Sequence, residues 1–125
     1  MNKVTYEQRA QVYLNALNHF GETAQIVMAP EELSEVQKDI CKKMRGYDNA
    51  DHLAEEIADA TIMLEQIRLF FGLNDLVCQK MDLKVQRLDS LLKENGRGYG
   101  TQVLLGGERY EAWKKSYEGR TDNLP

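Results

Sequence analysis

Glu31-Glu32-Leu33-Ser34-Glu35 and Glu55-Glu56-Ile57-Ala58-Asp59 are the two stretches on which the reading of this chain turns. Glu32 and Glu35 are three residues apart, and so are Glu56 and Asp59. On an α-helix, residues three apart share one face. Two such helices packed face to face bring four carboxylates to one spot. Like charges held that close repel, so either a cation neutralises them or some stay protonated. An all-oxygen set suits Mg²⁺, with Mn²⁺ as the alternative.

The flanks of both stretches read as helix. The first lies in a helical segment over about residues 22–45, which Pro30 interrupts. Proline removes a backbone donor inside a helix but sits well in a first turn. Either the helix restarts at Pro30, or it runs on from Thr23 with a kink. In a restarted helix Glu31 and Glu32 occupy an early turn and complement the dipole there. That explanation does not reach Glu35. Met28, Leu33, Val36, Ile40 and Met44 supply the expected apolar face. After a short loop with Asp48 and Asn49 as cap candidates, the second stretch falls in a helix over about 50–71 that stops at Gly72. Leu53, Ile57, Ala60, Met63, Leu64 and Ile67 form its apolar stripe, and Glu56 and Asp59 flank it. A carboxylate beside a core face is partly desolvated and calls for a partner.

Outward from these, Thr5 and Gln8 form a capping box for a helix over about 5–20, ended by Gly21. His19 sits near its end. A histidine there is ordinarily a solvent-exposed helix-end residue, with substrate contact as the alternative. A fourth helix is expected over about 75–94 behind Asn74. On it Lys80, Lys84 and Arg87 make a basic stripe, whose plain reading is a solvated face beside Asp82 and Asp89. From Gly96 the texture changes to a glycine cluster, a short apolar run at 101–105, and a candidate last helix at 108–117. The glycine cluster lacks phosphate-loop spacing and a preceding strand. The expectation is an all-α, four-helix antiparallel bundle over residues 1–95, with a C-terminal extension over 96–125. Short connections make the second and third helices antiparallel, so that the two acidic pairs meet.

Composition narrows the function. The 125 residues are 29% charged and 8% aromatic, with a net charge of −4. A single domain of this size can bury a core. There is no basic surplus for a nucleic-acid polymer, no apolar run near the roughly 20 residues that span a membrane, and no signal-peptide pattern at Met1–Glu7. The expected compartment is the cytoplasm. Cys41 and Cys78 read as reduced thiols on helix faces.

Several uses of the carboxylates compete. A di-iron bundle needs Glu three residues before each histidine, but Ala16 and Asn49 stand before His19 and His52. A calcium loop needs alternating ligands in a loop. Plain surface acids on amphipathic helices remain a competing reading. The other is Mg²⁺-assisted phosphate chemistry, with a few carboxylates and the substrate's phosphate oxygens sharing the metal.

Here the residues resemble a family. Glu31-Glu32-x-x-Glu35, a spacer of 20 residues, and Glu56-x-x-Asp59 look like the signature of the MazG-like all-α nucleoside triphosphate pyrophosphatases. The similarity covers about residues 10–92. Lys80-Met81-Asp82 and Arg87 echo the dCTP pyrophosphatase branch, although Lys84 stands where that branch has asparagine. The resemblance implies hydrolysis of a nucleoside triphosphate between its α and β phosphates, giving a monophosphate and pyrophosphate. It implies that Glu32, Glu35, Glu56 and Asp59 bind Mg²⁺, with Glu31 as a fifth carboxylate, and that Glu35 orients or deprotonates the attacking water. Lys43, Lys80, Lys84 and Arg87 are the expected phosphate contacts, with His19 a further substrate candidate. Relatives assemble as homodimers or homotetramers, so the same is expected here. The alternatives are an enzyme like phosphoribosyl-ATP pyrophosphatase and a non-catalytic helical interaction protein.

Overall fold

Local signals in the sequence start and stop each helix of the N-terminal region. The computed structural model describes residues 3–95 and 107–117. Their elements are α1 (Tyr6–Phe20), α2 (Glu22–Met44), α3 (Ala50–Phe70), α4 (Asn74–Glu94) and α5 (Gly107–Tyr117). Thr5 caps α1 through the expected box: its hydroxyl accepts from the Gln8 amide at 3.1 Å, and the Gln8 side chain accepts from the Thr5 amide at 2.9 Å. Gly21 ends α1, donating its amide to the Leu17 carbonyl, and α2 begins at the next residue.

The ends of α2 and α3 are built alike. After α2, Tyr47 donates to the Lys42 carbonyl and Gly46 to that of Lys43. After α3, Leu73 donates to Arg68 and Gly72 to Leu69. This is the paired hydrogen bonding of a Schellman motif, which needs a left-handed residue at its pivot. Gly46, at φ 89°, and Gly72, at φ 63°, supply it.

The chain is all-α and bundled where its helices pack. It divides into two units, Met1–Leu73 and Asn74–Pro125. In the first, α1, α2 and α3 pack on one another, α2 against α3 most extensively. The loop between α2 and α3 is short enough to force them antiparallel. α4, grouped with the first three helices in the sequence reading, belongs to the second unit together with α5. No residue of α4 is buried. Among the described residues no helix is long and apolar enough to cross a membrane. The expected glycine cluster at 96–100 and apolar run at 101–105 lie outside the described residues.

Of the two readings of Pro30 the through-running helix is the one observed: α2 runs unbroken from Glu22 to Met44, with Pro30 inside it and exposed. Glu31 and Glu32 are therefore mid-helix, and Glu22 is the acid of the first turn. A dipole role near a helix start no longer accounts for them. The expected core face of α2 is corrected. Met28, Leu33, Ile40 and Met44 are all exposed. Gln25, Ala29, Glu32, Val36 and Asp39 are buried or half-buried and recur at alternating intervals of four and three residues, with Ile26, Glu35 and Lys42 half-buried beside them. On α3, Leu53, Glu56, Ala60, Met63 and Ile67 do the same. That spacing is the seam of two helices wound along each other. Ala29 and Ala60 are small, which lets the backbones come close. The most apolar stripe of α2 faces outward, and a small, polar stripe faces in.

α1 is pinned to α3 by a polar network. The buried Tyr13 hydroxyl donates to the Glu65 carboxylate. Arg9 donates to both oxygens of the same carboxylate, at 3.0 and 3.2 Å, and its guanidinium lies 5.7 Å from the centre of the Tyr6 ring. Burial, and then the Glu65 carboxylate, raise the Tyr13 pKa well above the ordinary phenol value.

Candidate functional site

The seam between α2 and α3 carries the acids. Because Glu32 follows Ala29 by three residues and Glu56 precedes Ala60 by four, both sit on the inward stripe rather than beside it. The antiparallel pairing then sets the order of partners. Glu32, in the middle of α2, meets Glu56 and Asp59 of α3, and each of the three offers an oxygen within 4.8 Å of the others. Glu32 and Glu56 are half-buried and Asp59 is exposed.

Three carboxylates so placed are unfavourable by themselves. A pair of like charges 4 Å apart costs about 1 kcal/mol in bulk water and several-fold more in the lower effective dielectric near a protein surface. Glu32 registers this strain. Its pKa is raised, first because it is partly withdrawn from water and then by the charges of Asp59, Glu56, Glu31 and Glu35. A hard divalent cation relieves such an arrangement, and oxygen donors alone are the set that Mg²⁺ and Mn²⁺ accept. On donor chemistry and crowding the residues fit that group.

Glu35 stands one turn along from Glu32. It is not among the three converging carboxylates; one of its oxygens lies 4.0 Å from Lys38 Nζ, and its charge is felt at Glu32. Lys43 is exposed in the last turn of α2, where a cation also suits the helix dipole. His19 is exposed at the end of α1 with its ring edge-on to Phe20, the centroids 4.6 Å apart. Lys80, Lys84 and Arg87 are exposed along α4, in the second unit.

Two residues that the sequence reading passed over belong to the same seam. Asp39 is 1% exposed, and a carboxylate so buried needs a partner. His52 provides it: Nδ1 of the ring engages Asp39 Oδ2. The Asn49 side chain donates to the Asp39 carbonyl at 3.0 Å, which ties the start of α3 to the end of α2. The other ring nitrogen, Nε2, lies 3.5 Å from Glu56 Oε1. Three carboxylates, Asp39 foremost and then Glu56 and Glu55, raise the His52 pKa against an opposing effect of desolvation. A signal for this was present in the spacing. Asp39 lies one turn beyond Glu35, and His52 one turn before Glu56, so antiparallel helices that bring the acidic pairs together bring these two together as well.

Comparison of the chain with protein-family models, with curated proteins and with solved structures returned no match.

Proposed function

We propose that the chain is a divalent-cation-dependent nucleoside triphosphate pyrophosphohydrolase, releasing a nucleoside monophosphate and pyrophosphate. The observation that carries this reading is the convergence of Glu32, Glu56 and Asp59 in a helix seam, with the Glu32 pKa raised by burial and by its neighbours. Mid-helix acids turned toward a seam have no dipole to complement, and the basic side chain beside them, His52, faces Glu56 and is shared with Asp39. The resemblance of Glu31-Glu32-x-x-Glu35 and Glu56-x-x-Asp59 to the MazG-like signature supports the same reaction.

In this reading Glu32, Glu56 and Asp59, with Glu35 one turn on, hold Mg²⁺ or Mn²⁺. Bound there, the cation neutralises the acids and polarises the phosphoryl group. The rest falls to side chains. Glu35 accepts a proton from the attacking water as its oxygen bonds to phosphorus, and the bridging P–O bond breaks with its electrons leaving on pyrophosphate. Within the first unit Lys43 is the polyphosphate contact, a point charge in the last turn of α2, and His19 is a further substrate candidate. An acidic face would repel a polyanion on its own, so binding and turnover both need the metal.

A second feature bears on assembly. Leu33 and Ile40 on α2, and Ile57 and Leu64 on α3, are each more than 40% exposed, as are the leucines of α4 at 76, 83, 88, 91 and 92. Faces this apolar favour burial against another chain. They support a homodimer or homotetramer. They also keep alive a non-catalytic helical interaction protein as the second reading.

The deciding experiment is pyrophosphate release from a panel of nucleoside triphosphates and phosphoribosyl-ATP, with Mg²⁺ and with chelator. The expected result is release that requires Mg²⁺ and disappears in Glu35→Ala and Asp59→Ala. Folded, helical protein that releases nothing from the panel points instead to the interaction reading.

A further inference from the structure

We propose that Asp39 and His52 form a positioning pair that holds the Glu56 carboxylate in place for the cation. The inference rests on the reading of Glu32, Glu56 and Asp59 as the cation-holding set, and it assigns work to two residues outside that set.

Glu56 is common to two groups. It shares one with Glu32 and Asp59, and another with Asp39 and His52. Asp39 is the anchor of the second group. It is buried, its backbone carbonyl is held by Asn49, and its side chain is held by His52. An anchored carboxylate fixes the imidazole through Nδ1. With that nitrogen engaged, the ring can rotate only by breaking the bond to Asp39. Nε2 then stands 3.5 Å from Glu56 Oε1, one turn along the same helix. His52 is itself more than half exposed, so packing alone does not hold its ring. A glutamate side chain has three rotatable bonds and would otherwise swing away from two other carboxylates. The pair works against that swing by holding the ring, through Nδ1 and Asp39, so that Nε2 faces Glu56 Oε1.

The two groups are not two ion sites of equal standing. The ring turns a different nitrogen to each of Asp39 and Glu56. Metal-ligating groups are commonly held by partners one shell out, whose loss weakens metal binding about 10–100-fold. Here the outer partner is a histidine and the held ligand a carboxylate.

The test uses the full chain and Mn²⁺ as the probe, with free Mn²⁺ read by electron paramagnetic resonance. Helical content is checked by circular dichroism in each variant. His52→Phe removes both nitrogens and also takes the side-chain partner from the buried Asp39, so binding is read only on protein whose helical content matches the wild type. The expected result is Mn²⁺ affinity reduced about tenfold in His52→Phe, a similar loss in Asp39→Asn, and substantial recovery in His52→Gln, which restores a donor. In turnover, the change should fall on the Mg²⁺ concentration for half-maximal rate more than on kcat. If His52→Phe binds Mn²⁺ like the wild type while Asp59→Asn does not, positioning is overturned and the cation site stands. If Mn²⁺ survives Glu32→Gln and Asp59→Asn but is lost in both His52 variants, His52 is a ligand and not a positioner. If the wild type binds no Mn²⁺, the cation reading falls and this inference falls with it.

Discussion

The hydroxyl of Tyr13, on α1, donates to the carboxylate of Glu65, on α3, 52 residues later in the chain. It is part of what holds the first helix to the seam that the acids occupy. Glu65 keeps Arg9 when Tyr13 is lost, so the two ends of the contact are not equivalent. Hydrogen bonds to charged groups contribute roughly 1.5–3 kcal/mol. Tyr13→Phe should therefore cost about 1.5 kcal/mol, and Glu65→Ala more, because it strands both Arg9 and the phenol. Urea midpoints at constant m-value measure both. The raised Tyr13 pKa fixes the sign of a pH effect. The folded state holds that proton more tightly, so the contribution is complete below the ordinary phenol range and is lost as pH rises beyond it. Tyr13→Phe should remove this alkaline decline.

Glu32 is expected to oppose folding when no cation is present. Its raised pKa means that the ionised form is disfavoured in the fold, so stability is greatest below the ordinary carboxyl range and falls as pH rises through the raised value. Glu32→Gln should be the more stable protein in chelator at neutral pH. Mg²⁺ at ten times its Kd should add about 1.4 kcal/mol to the wild type and little to the variant. Thermal melts with Mg²⁺ and with chelator give the comparison. A wild type whose midpoint ignores Mg²⁺ at saturating concentrations would count against a cation site in the seam.

His52 can donate from both ring nitrogens only when protonated, and Asp39 favours that form. The pairing with Asp39 is fully present below the ordinary histidine range and is lost as pH rises through the higher midpoint of the folded state. A proton NMR titration of the His52 ring should show a midpoint above the ordinary value of about 6.5. In Asp39→Asn the midpoint should move back toward it. No movement would mean that Asp39 is not what raises it.

Gly46→Ala tests the connection that makes α2 and α3 antiparallel. A Cβ there meets nothing within 4 Å, so the cost is that of the backbone alone at φ +89°. A side chain in that region costs roughly 1–2 kcal/mol. Denaturant unfolding should show a loss of that order, with the helical spectrum of the folded protein unchanged.

The sequence was most legible where chemistry is local. Thr5 with Gln8, Gly21, Gly46 and Gly72 mark helix ends because capping involves residues only a few positions apart. The meeting of Glu32 with Glu56 and Asp59 was also legible, since a short loop leaves two helices little choice of direction. The inward face of α2 was not. Apolar periodicity selects the stripe of Met28, Leu33, Val36, Ile40 and Met44, of which pairing within the chain keeps Val36 and adds Gln25, Ala29, Glu32 and Asp39. A polar buried stripe carries no hydrophobic signal, so the only pointer to Asp39 was its spacing, one turn beyond Glu35 on the antiparallel seam. Pro30 left two readings open for a related reason. Propensity resists proline inside a helix, but the exposed position of its ring and the length of helix on either side allow α2 to continue through it.

That same proline has a mechanical consequence. A helix is a ladder of amide rungs, and Pro30 has no amide to give, so the carbonyl of Ile26 lacks its rung. α2 is thus two rods with one rung missing between them. The earlier rod runs on directly from α1 through Gly21, and the later one carries Glu32 and Asp39 and is tied at its far end by Asn49. Torque passed along α2 from its start would be taken up at that gap before it reached Glu32 and Asp39.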